Sequence, residues 1–169
     1  MSSEQVKSDL SALARFMRVE NVRIVGGEPL MHTNLPSFAE SILNSGITDR
    51  ITLVTNGLLL MRTSELLWEF IDEVNVSLYP LASAVVDRIQ RAAENLNRRG
   101  VHVAVLKYSY FREAVSVEES ADRTLVSRIY NTCQIAHFWR CITVDRGRIY
   151  RCPQSLHRVR VRPDFEEED

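Results

Sequence analysis

The chain has 169 residues, 45% of them hydrophobic, with a formal net charge of −1. That length suits one domain, or one with a small appendage, and no apolar run is long enough to span a bilayer. The charge balance is too even for a nucleic-acid footprint, and no basic segment followed by an apolar core opens the chain, so a cytoplasmic location is expected.

The spacing of Val6, Leu10, Leu13, Ala14 and Met17 predicts a first helix over residues 4–18, capped by Ser3. A short apolar strand, 22–25, ends at Gly26 and Gly27. Pro36 suits the first turn of a second helix with Phe38, Ala39, Ile42 and Leu43 on its inner face, stopped by Gly46. Residues 51–55 predict a strand ending in Thr55-Asn56-Gly57. A third helix is expected over 63–72, with Leu66, Leu67, Phe70 and Ile71 inward. A strand at 74–78 ends at Tyr79-Pro80. Ser83 is expected to cap a fourth helix through Arg99, closed by Gly100 before a strand at 101–106.

Strand–helix units of this size are those of a (β/α) barrel, and continuous apolar strands suit a parallel sheet covered on both faces. The unusual residues all follow strand ends, the edge where parallel α/β folds bind ligands. The fold class is therefore α/β. A first strand that follows a helix leaves an open sheet edge, which a protein partner could cover.

Beyond Lys107 the pattern weakens. A helix is expected over 118–131, then β pieces at 141–144 and 148–152 joined by Asp145-Arg146-Gly147, where the glycine favours a hairpin turn. Arg158, Arg160 and Arg162 alternate with Val159 and Val161 like an edge strand with a solvated face. Five of the 22 acids fall within residues 164–169, an expected disordered tail. Three parts follow: 1–115, 116–163 and 164–169.

Two glycines at a strand end strip away side chains and let a ligand approach the backbone, and proline stiffens the exit. Val25-Gly26-Gly27-Glu28-Pro29, followed by Thr55-Asn56-Gly57 and Val76-Ser77-Leu78 on the next two strands, resembles the radical S-adenosylmethionine superfamily. The resemblance implies a partial TIM-like barrel lacking its first strand. It implies that Gly26, Gly27, Glu28 and Pro29 hold the amino end of the cofactor's methionine moiety, with Asn56 and Ser77 assisting. The family's cluster-binding CxxxCxxC motif has no counterpart here, since no cysteine precedes Cys133. Either the true start lies upstream or the chain is truncated at its N-terminus, and if the sequence as given is the whole product it is not expected to cleave S-adenosylmethionine.

Three cysteines, Cys133, Cys141 and Cys152, are an odd count that argues against a disulfide framework. Gly147-Arg148-Ile149-Tyr150-Arg151-Cys152-Pro153 resembles the start of the auxiliary-cluster domains (SPASM or twitch type) of radical enzymes. That implies Cys133, Cys141 and Cys152 as ligands of an auxiliary 4Fe-4S cluster in a short β segment. With His137 the same residues suit zinc, and inert buried thiols are the plain alternative. Phe138 and Trp139 beside Cys141 would shield a metal site or pack into the core. His32, His102 and His157 read as structural. The substrate, small molecule or peptide, is not readable. The rival to a radical enzyme is a non-catalytic binding or accessory protein.

Overall fold

The computed structural model describes residues 1–111, 120–139, 141–154 and 156. The chain divides into two compact units, Met1–Phe111 and Arg112–Asp169. Among the described residues no helix is long and apolar enough to cross a membrane.

The first unit carries helices α1 (Ser3–Ala14), α2 (Leu35–Leu43) and α3 (Ser83–Arg98). Its strands are β1 (Val22–Ile24), β2 (Ile51–Thr55), β3 (Glu73–Leu78) and β4 (His102–Lys107). All neighbours are parallel and the order in the sheet is the order in the chain. That is the arrangement of consecutive barrel strands. The α/β class therefore holds, and the sheet is consistent with part of a barrel. Within the described residues β1 and β4 are its outermost strands.

Register sorts the side chains by face. Ile51, Leu53, Val74 and Val76 are fully buried, and Val22 and Ile24 pair with the first two of them. On the opposite face Arg23, Thr52, Glu73 and His102 form one cross-strand row, followed by Val54, Asn75 and Ala104. The helix layer covers the first face. Ile42 of α2 and Ile89 and Leu96 of α3 are each under 5% exposed. Burying such side chains contributes roughly 1.5–3 kcal/mol each, which makes this layer the main source of cohesion.

Four expectations are corrected. The first helix is capped by Ser2, whose hydroxyl accepts from the Gln5 amide at 3.2 Å, and it ends at Ala14 rather than 18. It stops because Phe16 is exposed and Val19 N–H turns to donate to the Ile47 carbonyl, leading the chain into β1. Ser83 is the first residue of α3, and its cap position is Ala82. The third expected helix is instead a pair of 3₁₀ turns, Leu60–Arg62 and Glu65–Glu69. Leu67, Trp68 and Ile71 are buried there while Leu66 is 50% exposed. The connection is pinned at its far end, where Asp72 exchanges backbone and side-chain hydrogen bonds with Ile51, so tight three-residue turns take the place of a longer helix. In the second unit the expected helix begins at Arg123, capped by Asp122, and forms α4 (Arg123–Asn131).

A one-turn helix α5 (Gln134–His137) follows, then strands β5 (Thr143–Asp145) and β6 (Arg148–Tyr150) pair antiparallel. Their loop is Arg146-Gly147, both at positive φ (50° and 76°), the two-residue turn whose twist matches a hairpin. The start of the expected helix at 118, His157, the alternating arginines 158–162 and the tail 164–169 lie outside the described residues.

Candidate functional site

Register aligns the three singled-out turns. Ile24, Leu53 and Val74 are cross-strand partners, and Gly27, Asn56 and Ser77 each come three residues later. The three therefore stand on one level at the carboxyl ends of β1, β2 and β3.

Gly26 and Gly27 are exposed, and a Cβ built on either would meet nothing within 4 Å. The glycine pair is an open cradle of backbone. Pro29 is buried and opens a 3₁₀ turn, Pro29–Met31, that fixes the exit of the loop. Glu28 behaves differently from its neighbours. Its Oε1 accepts from the Thr55 hydroxyl at 2.6 Å and from the Leu30 amide at 3.1 Å, and its Oε2 accepts from the Asn56 amide at 2.8 Å. All three partners are donors from the protein itself, a set that suits a carboxylate anion. The carboxylate thus ties the end of β1 to the end of β2.

The Asn56 side chain is also engaged, its Oδ1 accepting from the Leu58 amide at 2.9 Å in an Asx turn. Gly57 follows with φ +80°, and its Cα lies against α3 and β3. A Cβ there would stand 2.8 Å from Val76 Cγ1 and 3.1 Å from Ile89 Cγ2. Only glycine fits that approach. Ser77 is half-buried on the face opposite the helix layer, level with Leu106 of β4.

Thr55 is a member of this candidate site that the sequence does not single out. It is 3% exposed and joins Glu28 to Gly57, whose amide donates to its Oγ1 at 3.1 Å. Its signal was a hydroxyl at the last position of an otherwise buried strand, directly before Asn-Gly. His32 is structural here: its Nδ1 accepts from the Asn34 amide at 3.2 Å and its ring lies 5.4 Å from Phe38.

The cysteines are each half-buried. The Cys141 thiol donates to the Trp139 carbonyl at 3.4 Å. Among the described residues no three His, Cys, Asp or Glu side chains are grouped to hold a metal ion. His137 Nε2 donates to the Tyr130 carbonyl at 2.8 Å, with its ring edge-on to Tyr130. Among the described residues the cysteines and His137 are thus not grouped as a ready cluster or zinc site. Phe138 and Trp139 are exposed, 80% and 55%, so neither packs into a core.

No family model matches this chain. It is 35% identical over 106 residues to the probable GTP 3',8-cyclase of Methanococcus vannielii, covering 62% of this chain and 35% of the relative. The probable GTP 3',8-cyclase of Methanococcus maripaludis (strain C6) is 34% identical over 108 residues, with coverage of 62% and 35%. The GTP 3',8-cyclase of Chlorobaculum tepidum is 39% identical over 72 residues, 42% of this chain and 22% of the relative. The chain spans about a third of the length of the first of these relatives. With the parallel sheet and its three aligned turns, these similarities support kinship with the radical S-adenosylmethionine superfamily.

Proposed function

We propose that the first unit binds S-adenosylmethionine along the carboxyl ends of β1 to β3, as the cofactor-holding part of a radical S-adenosylmethionine protein. The observation that carries this reading is the common level of Gly27, Asn56 and Ser77 beside an open glycine pair. In it the loop Gly26, Gly27, Glu28 and Pro29 takes the methionine end, where backbone acceptors suit a protonated amine. Asn56 and Ser77 flank the ligand. If a CxxxCxxC segment upstream of residue 1 held a reduced 4Fe-4S cluster beside it, the bound cofactor would supply a 5′-deoxyadenosyl radical for hydrogen abstraction. The relatives are named for cyclising GTP, which makes a purine nucleotide the first substrate class to try.

Cys133, Cys141 and Cys152 enter the proposal as ligands of an auxiliary cluster that assembles on loading, with zinc as the competing metal. Metal sites are seldom preformed without their metal, and binding energy then serves to order the ligands.

Isothermal titration of the chain with S-adenosylmethionine tests the proposal. Saturable binding is expected, and it should be lost on Gly27→Val, which adds bulk where a Cβ meets nothing within 4 Å. Absence of binding by the wild-type chain, or equal binding by Gly27→Val, refutes the site.

A further inference from the structure

We infer that Thr55 is a positioning residue that holds the Glu28 carboxylate within the protein, as a strut between the ends of β1 and β2, and so sets the shape of the loop that takes the ligand. The inference rests on the S-adenosylmethionine reading of this loop and deepens it.

Thr55 pairs in register with Val76 and is nearly fully buried, so its side chain stands on the helix-covered face of the sheet. A threonine hydroxyl has one hydrogen. Its oxygen already accepts from the Gly57 amide, at 3.1 Å, so the hydrogen is committed to Glu28 Oε1 at 2.6 Å. The Leu30 and Asn56 amides then complete the hold on both carboxylate oxygens. Glu28 is therefore drawn toward the covered side by three internal donors and serves as a strut between two strand ends. The glycines before it are left open, with no neighbour within 4 Å of where a side chain would start. The Gly57 amide donates to Thr55 from a position beside Val76 and Ile89 where any larger residue would clash.

The test uses the whole chain with two readouts: amide hydrogen exchange at Leu30 and Asn56, and titration with S-adenosylmethionine. Thr55→Val removes the hydroxyl and keeps the shape, and Thr55→Ser restores the hydroxyl. T55V should speed exchange at both amides and weaken binding about tenfold, the scale of one hydrogen bond to a charged group. T55S should stay near wild type in both readouts. In the double variant E28Q/T55V the losses should not add, because both residues act through one linkage. Unchanged exchange in T55V overturns the inference, as do additive losses in the double variant, which would mean that Glu28 touches the ligand independently. Should the valine variant fail to fold, Thr55→Ala carries the same comparison. A wild-type chain that binds no S-adenosylmethionine overturns the reading of the loop, and exchange at Leu30 and Asn56 still decides whether Thr55 holds Glu28.

Discussion

Replacing Gly57 by alanine separates the packing of the site from its chemistry. The new methyl group would stand 2.8 Å from Val76 Cγ1, 3.1 Å from Ile89 Cγ2 and 3.5 Å from Ile89 Cδ1, on a backbone at φ +80°. A left-handed conformation costs a non-glycine residue roughly 1–2 kcal/mol. Forcing an extra methyl into a packed core costs about 1–3 kcal/mol more. The sum is on the order of 2–5 kcal/mol, and at about 4 °C per kcal/mol for a unit of this size the melting temperature of the first unit should fall by on the order of 8–20 °C. Gly27→Ala is the control. It has neither a neighbour within 4 Å nor a positive φ, so its melting temperature should stay within about 2 °C of wild type, as for an ordinary surface change. Its affinity for S-adenosylmethionine should fall nonetheless. Calorimetric unfolding of both variants and titration of Gly27→Ala check the pair. A Gly57→Ala chain as stable as wild type would refute the packing argument, and a stable Gly27→Ala chain with unchanged affinity would refute the open cradle.

Three further outcomes are expected. Asp72→Ala removes the acceptor that holds the buried Ile51 amide at 2.8 Å, and should cost about 1–3 kcal/mol in urea unfolding, most of which Asp72→Asn should restore. Arg146→Gly relieves a non-glycine residue at φ 50° in the hairpin turn and should stabilise the second unit by up to about 1–2 kcal/mol, read from its thermal transition. Anaerobic reconstitution should load iron and sulfide onto the chain, and serine at Cys133, Cys141 and Cys152 should abolish the uptake. Metal content that survives the triple replacement would refute those ligands, and zinc without sulfide would turn the second unit into a structural metal domain.

The strands were legible because the residues they turn to the helix layer are apolar, and Ile51–Thr55 matches its expected limits, but the expected cover on both faces is corrected: β3 alternates half-buried and buried residues and β4 has no buried residue. Residues 63–72 misled for a definite reason. Apolar residues three and four apart share a face in an α-helix and nearly so in 3₁₀ turns, so periodicity alone cannot choose between them. The choice was made by Asp72, whose bonds to Ile51 depend on a partner 21 residues away. The site divides in the same way. Gly26 and Gly27 announce themselves locally, by two missing side chains at a strand end. Thr55 does not, because its hydrogen bond crosses 27 residues to reach Glu28 and a strand-end threonine is ordinary by itself. Likewise Glu28 reads as a ligand residue in sequence, and only the three donors around it show that its charge is satisfied within the protein.

The sheet adds its strands in chain order, and this has a consequence for how the molecule comes into being. Each strand can dock on the one made just before it, so assembly by successive accretion needs only loops of similar, modest length to close at every step. On such a route the three turns of the proposed site would mature after β3, since the residues beside Gly57, Val76 and Ile89, lie in β3 and then α3. A ligand that must touch all three turns would thus ignore shorter chains, and its binding would report that the first unit has folded as far as α3 during synthesis.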